Sequence, residues 1–215
     1  MRSSVRAEVL DCAVKNGYAP TMAGRPRSFD SEDVIEKAMH VFWSRGFEGT
    51  GIADLEAATG LGRQSLYGAF GDKGALFGRV VEHYFERVLR PGLIDVLEAD
   101  GSGRAAIEHV FETWVSLASS PDFHGCLVGN TASRLEAVDA ATADVLARKL
   151  RRMEDAFVRA IGRGIERGEI RADVDPRSTA RALLAIAQGL AVITRVRREP
   201  AFVRGVVLAA RSLLD

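Results

Sequence analysis

The sequence predicts an all-α protein of about nine helices. Three observations support this fold class. Apolar residues recur at the three- and four-residue spacing of amphipathic helices through most of the chain, and runs of β-branched residues are few. All six prolines lie outside the strongest helical periods, and glycine or proline marks the breaks between those periods. With 47% apolar residues in 215 positions, the chain can bury a substantial core.

The composition also excludes several classes of protein. No apolar stretch is long enough to span a bilayer, and no signal-peptide pattern opens the chain. Cys12 and Cys126 are 114 positions apart, which offers neither a metal-binding spacing nor a disulfide framework. We therefore expect a cytoplasmic protein without a metal or other cofactor. The four histidines have no Ser or Cys partner at a catalytic spacing, and no HExxH motif or glycine-rich phosphate loop occurs, so we expect no enzymatic activity.

The first predicted helix follows a segment without periodicity. Residues 1–23 show no clean amphipathic pattern and are predicted to form a flexible extension. The helix is predicted to begin at a cap formed by Asp30 and Asp33 and to end at Gly46. One face carries apolar residues at the i, i+4, i+7 and i+8 positions, namely Val34, Ala38, Val41 and Phe42.

The segment from Thr50 to Leu76 is the most informative about function. Two short helix-compatible runs are joined by Gly60-Leu61-Gly62, in which Gly60 suits a left-handed helix end and Leu61 an apolar contact between the helices. Thr50 is predicted to cap the first helix, and Leu66 and Phe70 are predicted to be the buried residues of the second. This arrangement is typical of a helix-turn-helix, in which the first helix supports a second that lies in the DNA major groove.

The second of these helices would leave four polar side chains facing outward, namely Arg63, Gln64, Ser65 and Tyr67. Arg and Gln can contact guanine or adenine edges through paired hydrogen bonds, and Ser or Tyr can reach a phosphate. Asp72 is predicted to cap the next helix and to place Lys73 beside a phosphate. The alternative interpretation is an ordinary solvated helix face.

The charge distribution limits this hypothesis. The chain has 29 basic and 29 acidic residues, and residues 1–75 hold nine Lys or Arg against ten Asp or Glu. DNA-binding domains are usually basic, so this chain should have only a modest non-specific affinity for DNA. For the hypothesis to hold, the positive charges of residues 1–75 have to share one face. The residues required there are Arg25, Arg27, Arg45, Arg63 and Lys73. Arg25 and Arg27 flank Pro26 and are typical of a minor-groove arm, or of a disordered tail with two charges.

The remaining helices follow from the same periodicity. A long helix from Asp72 to about Leu89 is predicted to close or kink at Pro91-Gly92, near a boundary between two domains. Its predicted buried residues are Leu76, Phe77, Val80, Val81, Tyr84 and Val88. Five further helices are predicted at residues 103–119, 126–137, 140–167, 176–198 and 202–214. Asp175 followed by Pro176 is typical of a helix start.

At residues 25–76 the chain resembles the TetR/AcrR family of transcriptional regulators. The matching or nearly matching residues are Thr50, Ala58, Gly60, Leu61, Leu66, Tyr67, Phe70, Lys73 and Leu76. The departures are Gly51 and Gly62 where a hydroxyl residue is frequent, Glu56 where a small residue is usual, and Ala69 where a histidine is common. A helix cap or a contact with the DNA backbone would be missing at these positions.

The resemblance implies a DNA-binding domain at residues 24–75 and an effector-binding and dimerisation domain at residues 76–215. The run that begins at Met22 looks like a natural start for a family member, so the residues before it are either an upstream extension or the result of a mis-called start, and the alternative is a flexible tail. The DNA contacts implied are Arg25, Arg27, Thr50, Arg63, Gln64, Ser65, Tyr67 and Lys73. The implied function is a ligand-responsive repressor that binds a palindromic operator as a homodimer. The alternatives are an activator and a helix-turn-helix used only for protein contact.

The resemblance also implies a cavity for a small apolar or aromatic effector in the C-terminal domain. The candidate lining residues are Phe111, Trp114, Phe123, His124, Phe157 and Gln188, each of which could instead be ordinary core. Cys126 could sense redox state or be a small buried thiol. The apolar stripes of residues 176–214 are interpreted, again by resemblance, as a four-helix dimer interface, and the alternative is a helix pair packed inside one monomer.

Overall fold

The computed structural model describes residues 29–118, 120 and 123–215, and these residues form helices and no strand, as predicted. The predicted extension at residues 1–23 and the side chains of Arg25 and Arg27 lie outside the described residues. The described part contains nine helices when the continuous helix 73–98 is counted once. They are α1 (Ser31–Gly49), α2 (Ile52–Thr59), α3 (Arg63–Phe70), α4 (residues 73–98), α5 (Gly103–Ala118), α6 (Leu127–Ala132), α7 (Ala140–Glu166), α8 (Pro176–Ile193) and α9 (Pro200–Arg211). Short 3₁₀ turns lie at Leu135–Ala137 and Ser212–Leu214.

α1 packs along α4 through a cluster of aromatic rings. Its buried face carries Val34, Ala38, Met39 and Phe42, so Met39 is buried where Val41 had been predicted. The Phe77 ring of α4 lies 4.9 Å from the Phe42 ring and 5.0 Å from the Phe47 ring, measured between centroids. Gly46 has a φ of 75°, which interrupts the helix where its end was predicted, although helical hydrogen bonding extends to Gly49. Edge-to-face contacts of this kind fix the angle at which α1 meets α4.

α4 continues past Pro91 to Glu98, so of the two predicted possibilities at Pro91-Gly92, closing and kinking, closing is wrong. Its hydrogen bonding is α-helical at first, then π-helical, then α-helical again, over Lys73–Tyr84, Phe85–Ile94 and Asp95–Glu98. In the π-helical part the N–H of Asp95 donates to the carbonyl of Arg90, five residues earlier. A proline has no N–H and obstructs an α-helix, and the wider turn of a π-helix allows the chain to continue through it.

The change in register alters which residues of α4 are buried. Phe85 and Leu89 lie in the core, whereas Val88, predicted to be buried, is half-buried. Gly74, near the start of α4, permits a close approach to the start of α7, because a Cβ at this position would lie 2.9 Å from a carboxylate oxygen of Asp139. The glycine therefore has a packing function that offsets its low helix propensity.

α7 is the longest helix and lies at the centre of the C-terminal part, with α4, α5 and α8 packed against it. α5 approaches α7 so closely that their backbones meet. A Cβ added to Gly103 would lie 1.9 Å from the carbonyl oxygen of Ala160. Further along the same contact, the rings of Phe111 and Phe157 lie 6.4 Å apart. Only glycine is compatible with this approach at residue 103.

The end of α4 is joined to α7 by a cluster of charges around Glu98. Its carboxylate accepts two hydrogen bonds from Arg152, at 2.6 and 2.7 Å, and a further one from Arg159 at 2.8 Å. The hydrogen bonds from Arg152 are the largest influence on this carboxyl, and its pKa is lowered from 4.5 to about 2. Arg163 donates to the carbonyl of the adjacent Leu97 at 2.5 Å. Three arginines of α7 therefore hold the last turn of α4.

α8 begins as predicted and ends earlier than predicted. The Asp175 carboxylate accepts from the Ser178 N–H at 2.8 Å, which confirms the predicted cap. The helix ends at Ile193 rather than near residue 198. Pro200 opens α9, and a proline disfavours helical backbone in the residue before it, so Glu199 is extended and the chain has to leave the helix earlier. Within the described part of the chain, no helix has the length and apolar character to cross a membrane.

Candidate nucleic-acid interface

α2 and α3 form a helix-turn-helix whose interior is apolar. Leu55 of α2 and Leu66 of α3 are fully buried, and Phe70 is nearly so, as predicted. Gly60 ends α2 with a φ of 73°, in the left-handed conformation predicted for it. Leu61, the predicted contact within the turn, is half-buried.

Thr50 does not cap α2, which corrects the prediction. Its side chain is 0% exposed, and its hydroxyl donates to the carbonyl of Gly46 at 2.7 Å. The capping position belongs to Gly51, whose N–H donates to the Asp54 carboxylate at 2.8 Å. This hydrogen bond, followed by one from Arg45, lowers the pKa of Asp54. Thr50 therefore closes the kink in α1, and its hydroxyl cannot reach a phosphate in this conformation.

The start of α3 is capped from a distance. Gly62 occupies the N-cap position and has no side chain, and the N–H of Arg63 donates to Oε1 of Glu56 at 2.6 Å. Glu56 lies on α2, seven residues earlier in the chain. Its capping role was not predicted. A carboxylate seven residues before a helix start is not a recognised capping pattern, and only the angle between α2 and α3 brings it close.

The outward face of α3 carries the predicted polar side chains. Arg63, Gln64 and Ser65 are exposed, and Tyr67 is half-buried. The guanidinium of Arg63 lies over the Tyr67 ring at 5.3 Å from its centroid. This stacking restricts the arginine side chain, so less conformational freedom would be lost when it binds.

Lys73 lies at the start of α4 and is half-buried. Asp72 caps this helix by accepting from the Ala75 N–H at 2.8 Å, which confirms that prediction. The Lys73 ammonium lies 4.4 Å from the centre of the Phe47 ring, and burial lowers its pKa. Arg45, also required on the basic face, is paired with Asp54, so its charge is largely offset. The exposed positive charge at the start of α3 comes mainly from Arg63.

A second polar contact joins α1 to α4 away from this face. Glu36 lies 2.6 Å from Nε2 of His83 and 3.3 Å from Nε2 of His40. Burial raises the pKa of Glu36, and the hydrogen bond and charge of His83 outweigh that effect, so the net pKa is lowered. The contact favours a charged carboxylate between the two histidines.

An apolar cavity of about 170 Å³ lies between α1, α4, α5 and the segment before α6. Its lining residues are Trp43, Tyr84, Val88, Leu89, Gly92, Leu93, Thr113, Trp114, Leu117, Phe123 and Gly125. Trp114 and Phe123, two of the six predicted lining residues, pack edge-to-face at 6.0 Å. A cavity of this size can hold a molecule about as large as benzene.

The other four predicted lining residues lie elsewhere. Phe111 and Phe157 pack in the core between α5 and α7, because they occupy the face on which those helices meet. His124 lies against the outer side of Trp43, at 6.2 Å between rings. The Gln188 amide lies against Gly129, where a Cβ would meet its oxygen at 2.0 Å. Helical periodicity identified these residues as inward-facing without distinguishing cavity from core.

Cys126 lies close to this cavity and is 1% exposed. Burial raises the pKa of its thiol, which opposes formation of the reactive thiolate. These properties favour the interpretation of a buried thiol over that of an accessible redox sensor. No group of three or more metal-ligating side chains occurs among residues 29–118, 120 and 123–215.

The C-terminal helices leave large apolar side chains uncovered. Leu208 of α9 is 63% exposed, and Val192 and Ile193 at the end of α8 are 43% and 45% exposed. The opposite faces of these helices are buried, including Leu183, Leu190, Val203 and Val207. α8 and α9 thus contribute to the core of this chain and also present apolar residues outward.

A short helix that supports a second helix, with arginine, glutamine and serine exposed at the start of the second, defines a helix-turn-helix DNA-binding protein. The comparisons with known proteins agree. Residues 34–80 match the model of the bacterial regulatory proteins of the tetR family, and residues 103–209 match that of the tetracyclin repressor-like C-terminal domain. The chain belongs to the TetR family of bacterial transcriptional regulators, which are not enzymes.

Individual relatives extend over most of the chain. The HTH-type transcriptional regulator YezE of Bacillus subtilis (strain 168), itself uncharacterized, is 32% identical over 89% of this chain and 100% of its own length. The HTH-type transcriptional repressor ComR of Escherichia coli (strain K12) is 30% identical over 80% of this chain and 82% of its own. Among solved structures, a cysteine mutant of the TetR family regulator CifR in complex with 26-base-pair double-strand operator DNA is 30% identical to this chain. The two structures superpose with a TM-score of 0.74, and the match covers 87% of this chain and 98% of the CifR chain.

Proposed function

We propose that this TetR-family regulator is a ligand-responsive repressor that binds a palindromic operator as a homodimer in the cytoplasm. The observation that carries the proposal is α3, which buries Leu66 and Phe70 and exposes Arg63, Gln64 and Ser65 together at its N-terminal end. In a helix-turn-helix that end of the second helix reaches the base edges. Support comes from ComR, which is a repressor, and from CifR, which was solved on operator DNA.

Within this proposal the polar residues divide by role. Arg63 and Gln64 read base edges, while Ser65, Tyr67 and Lys73 contact the backbone. Arg25 and Arg27 would reach the minor groove from the segment before α1. Thr50 has no direct part, because it is buried. Residues 24–75 would form the DNA-binding domain and residues 76–215 the effector-binding and dimerisation domain, with the boundary in the first turn of α4.

The dimer is proposed to form through residues 176–214. The exposed apolar residues of α8 and α9 supply its contact surface, and two helices from each subunit would make a four-helix bundle. A dimer would place two copies of α3 about 34 Å apart, the spacing of successive major grooves on one face of DNA. A palindromic operator follows from that two-fold symmetry.

The effector is proposed to be a small apolar or aromatic molecule bound in the cavity that Trp114 and Phe123 line. α4 forms one wall of this cavity, and its first turn follows α3 directly, so a displacement of α4 would change the spacing of the two α3 helices. An effector that couples to DNA binding by about 1–3 kcal/mol would change operator affinity by roughly 5- to 150-fold.

The test is fluorescence anisotropy of the protein on DNA from its own upstream intergenic region, with random DNA of equal length as the control, over a salt series. We expect a preference of at least about 10³-fold for the intergenic fragment and a shallow salt slope. The Arg63→Ala/Gln64→Ala variant should lose that preference and remain dimeric. Retained specific binding by this variant would refute the assigned reading face, and equal weak binding of both DNAs by the wild type would count against the repressor proposal.

A further inference from the structure

The two short helices of the DNA-binding region lack capping side chains at their own N-cap positions. Gly51 precedes α2 and Gly62 precedes α3. An uncapped helix start leaves N–H groups without partners, which costs stability and allows the first turn to fray. For α3 this matters to function, because its first turn carries Arg63, Gln64 and Ser65.

At each start a carboxylate accepts one backbone N–H, but the two carboxylates come from different places. At α2 the carboxylate is local, since Asp54 lies three residues after Gly51 and accepts its N–H. At α3 the carboxylate is Glu56, which belongs to α2 and accepts the Arg63 N–H at 2.6 Å. The bond at α3 therefore fixes the start of that helix relative to α2 as well as capping it.

We propose that Glu56 is a positioning residue for DNA recognition, which holds the first turn of α3 in place of the side chain that Gly62 lacks. The proposal rests on the proposed DNA-binding function and adds a determinant of specificity. Base contacts require the first turn of α3 to be ordered, whereas attraction to the DNA backbone does not. Glu56 thus raises the ratio of operator binding to random binding.

The charge of Glu56 has a separate effect. A carboxylate at the helix end that enters the groove is attracted to the helix dipole and repels DNA phosphates. The charge of Glu56 therefore lowers affinity for DNA of any sequence and leaves the ratio of operator affinity to random-DNA affinity unchanged. This agrees with the absence of net positive charge in residues 1–75, which hold nine basic and ten acidic residues.

Three variants separate the two effects. Glu56→Gln keeps an oxygen that can accept the Arg63 N–H and removes the charge, and Glu56→Ala removes both. Glu56→Ala/Gly62→Ser restores a cap from the N-cap position itself, where the serine hydroxyl would accept the N–H of Gln64 or Ser65 rather than that of Arg63 and so order the same first turn. The backbone of Gly62 is extended, with φ −68° and ψ 157°, and the nearest atom to an added Cβ is the Glu56 carboxylate at 3.9 Å, so serine fits there. Asp33→Asn is the matched control, since it removes one acidic charge from α1 at an exposed pair with Lys37.

Hydrogen exchange of the Arg63 amide measures the cap without DNA. We expect exchange at least about fivefold faster in Glu56→Ala, corresponding to the loss of a typical cap, and rates near wild type in Asp33→Asn. Glu56→Gln should lie between them. Unchanged exchange in Glu56→Ala would overturn the capping role, and this result does not depend on whether the protein binds an operator.

Anisotropy on operator and random DNA measures the consequence. The ratio of the two affinities should fall about fivefold per DNA-binding head in Glu56→Ala and recover in the double variant. Random DNA should bind roughly two- to threefold more tightly per DNA-binding head in both Glu56→Gln and Glu56→Ala, as expected for one charge removed if a phosphate lies about 8 Å away in water. An unchanged ratio in Glu56→Ala would overturn the positioning role. Failure of the wild type to prefer any operator would instead count against the proposed function.

Discussion

Replacing Glu98 by glutamine tests the contact that holds the end of α4 against α7. The carboxyl has a pKa of about 2 instead of 4.5, because Arg152 and Arg159 donate hydrogen bonds to its charged form. A pKa shift of this size corresponds to about 3 kcal/mol by which the folded state stabilises the charged carboxylate over the neutral acid. The side chain is 29% exposed, so solvent screening reduces the expected loss in Glu98→Gln to about 2 kcal/mol.

The pH dependence follows from the sign of this shift. The folded-state pKa lies below the unfolded-state value, so the stabilisation is fully present above pH 4.5 and is lost as the pH falls toward about 2. We expect the difference between wild type and Glu98→Gln to be largest near neutral pH and to shrink over that acidic window. Urea unfolding followed by circular dichroism, at one fixed protein concentration, measures it.

The control is Glu86→Gln, which removes the exposed partner of Arg90 four residues along the same helix, and whose contact with Lys149 of α7 is at 3.9 Å, the limit of an ion pair. An exposed pair of this kind contributes about 0.5 kcal/mol or less. If Glu98→Gln cost no more than this control, or if its cost stayed constant through the acidic window, the assignment of Glu98 as the electrostatic anchor of α4 would be refuted.

Three further predictions concern packing and assembly. Gly103→Ala should destabilise the protein by about 3 kcal/mol in urea unfolding, because its Cβ would meet a backbone carbonyl of α7 at 1.9 Å. Gly162→Ala is the matched control, since a Cβ added there has no atom within 4 Å, and it should stabilise the protein by up to about 1 kcal/mol. Leu208→Asp should weaken dimerisation at least tenfold in sedimentation equilibrium. The same change at Leu135, which is 48% exposed and lies outside residues 176–214, should leave dimerisation unchanged. Equal effects of the two variants would contradict the proposed interface. Phe77→Ala should cost about 3–5 kcal/mol, measured by urea unfolding, because its fully buried ring joins α1 to α4, and a loss below 1 kcal/mol would show that the joint is not tightly packed.

Most predictions that depended on local sequence succeeded, and the exception is the predicted cap at Thr50. The left-handed end of α2 at Gly60 and the caps at Asp72 and Asp175 each involve residues within four positions of the group they satisfy. The apolar spacing also identified Leu66 and Phe70 as buried. Such features are fixed by short-range geometry, which a single sequence states directly.

Predictions that depended on how helices pack were less accurate. The cap of α3 comes from Glu56 across an interhelical angle, and Thr50 turns inward to Gly46 because of the kink in α1. The course of α4 through Pro91 requires a π-helical register, which depends on neighbours rather than on the proline alone. Periodicity likewise could not show that Trp114 lines a cavity while Phe111 fills the core, since both occupy inward positions on α5.

The close approach of α5 to α7 divides the walls of the apolar cavity into two kinds. Trp114 belongs to α5, whose backbone is in contact with α7 at Gly103, and the rings of Phe111 and Phe157 extend that contact along the helix. The facing wall is α4, whose cavity residues, including Leu89 and Gly92, lie largely in the π-helical part. That part has the wider turn, and turns of this kind can exchange between two hydrogen-bonding registers without unfolding the helix. We therefore expect an occupant of the cavity to displace α4 more readily than α5.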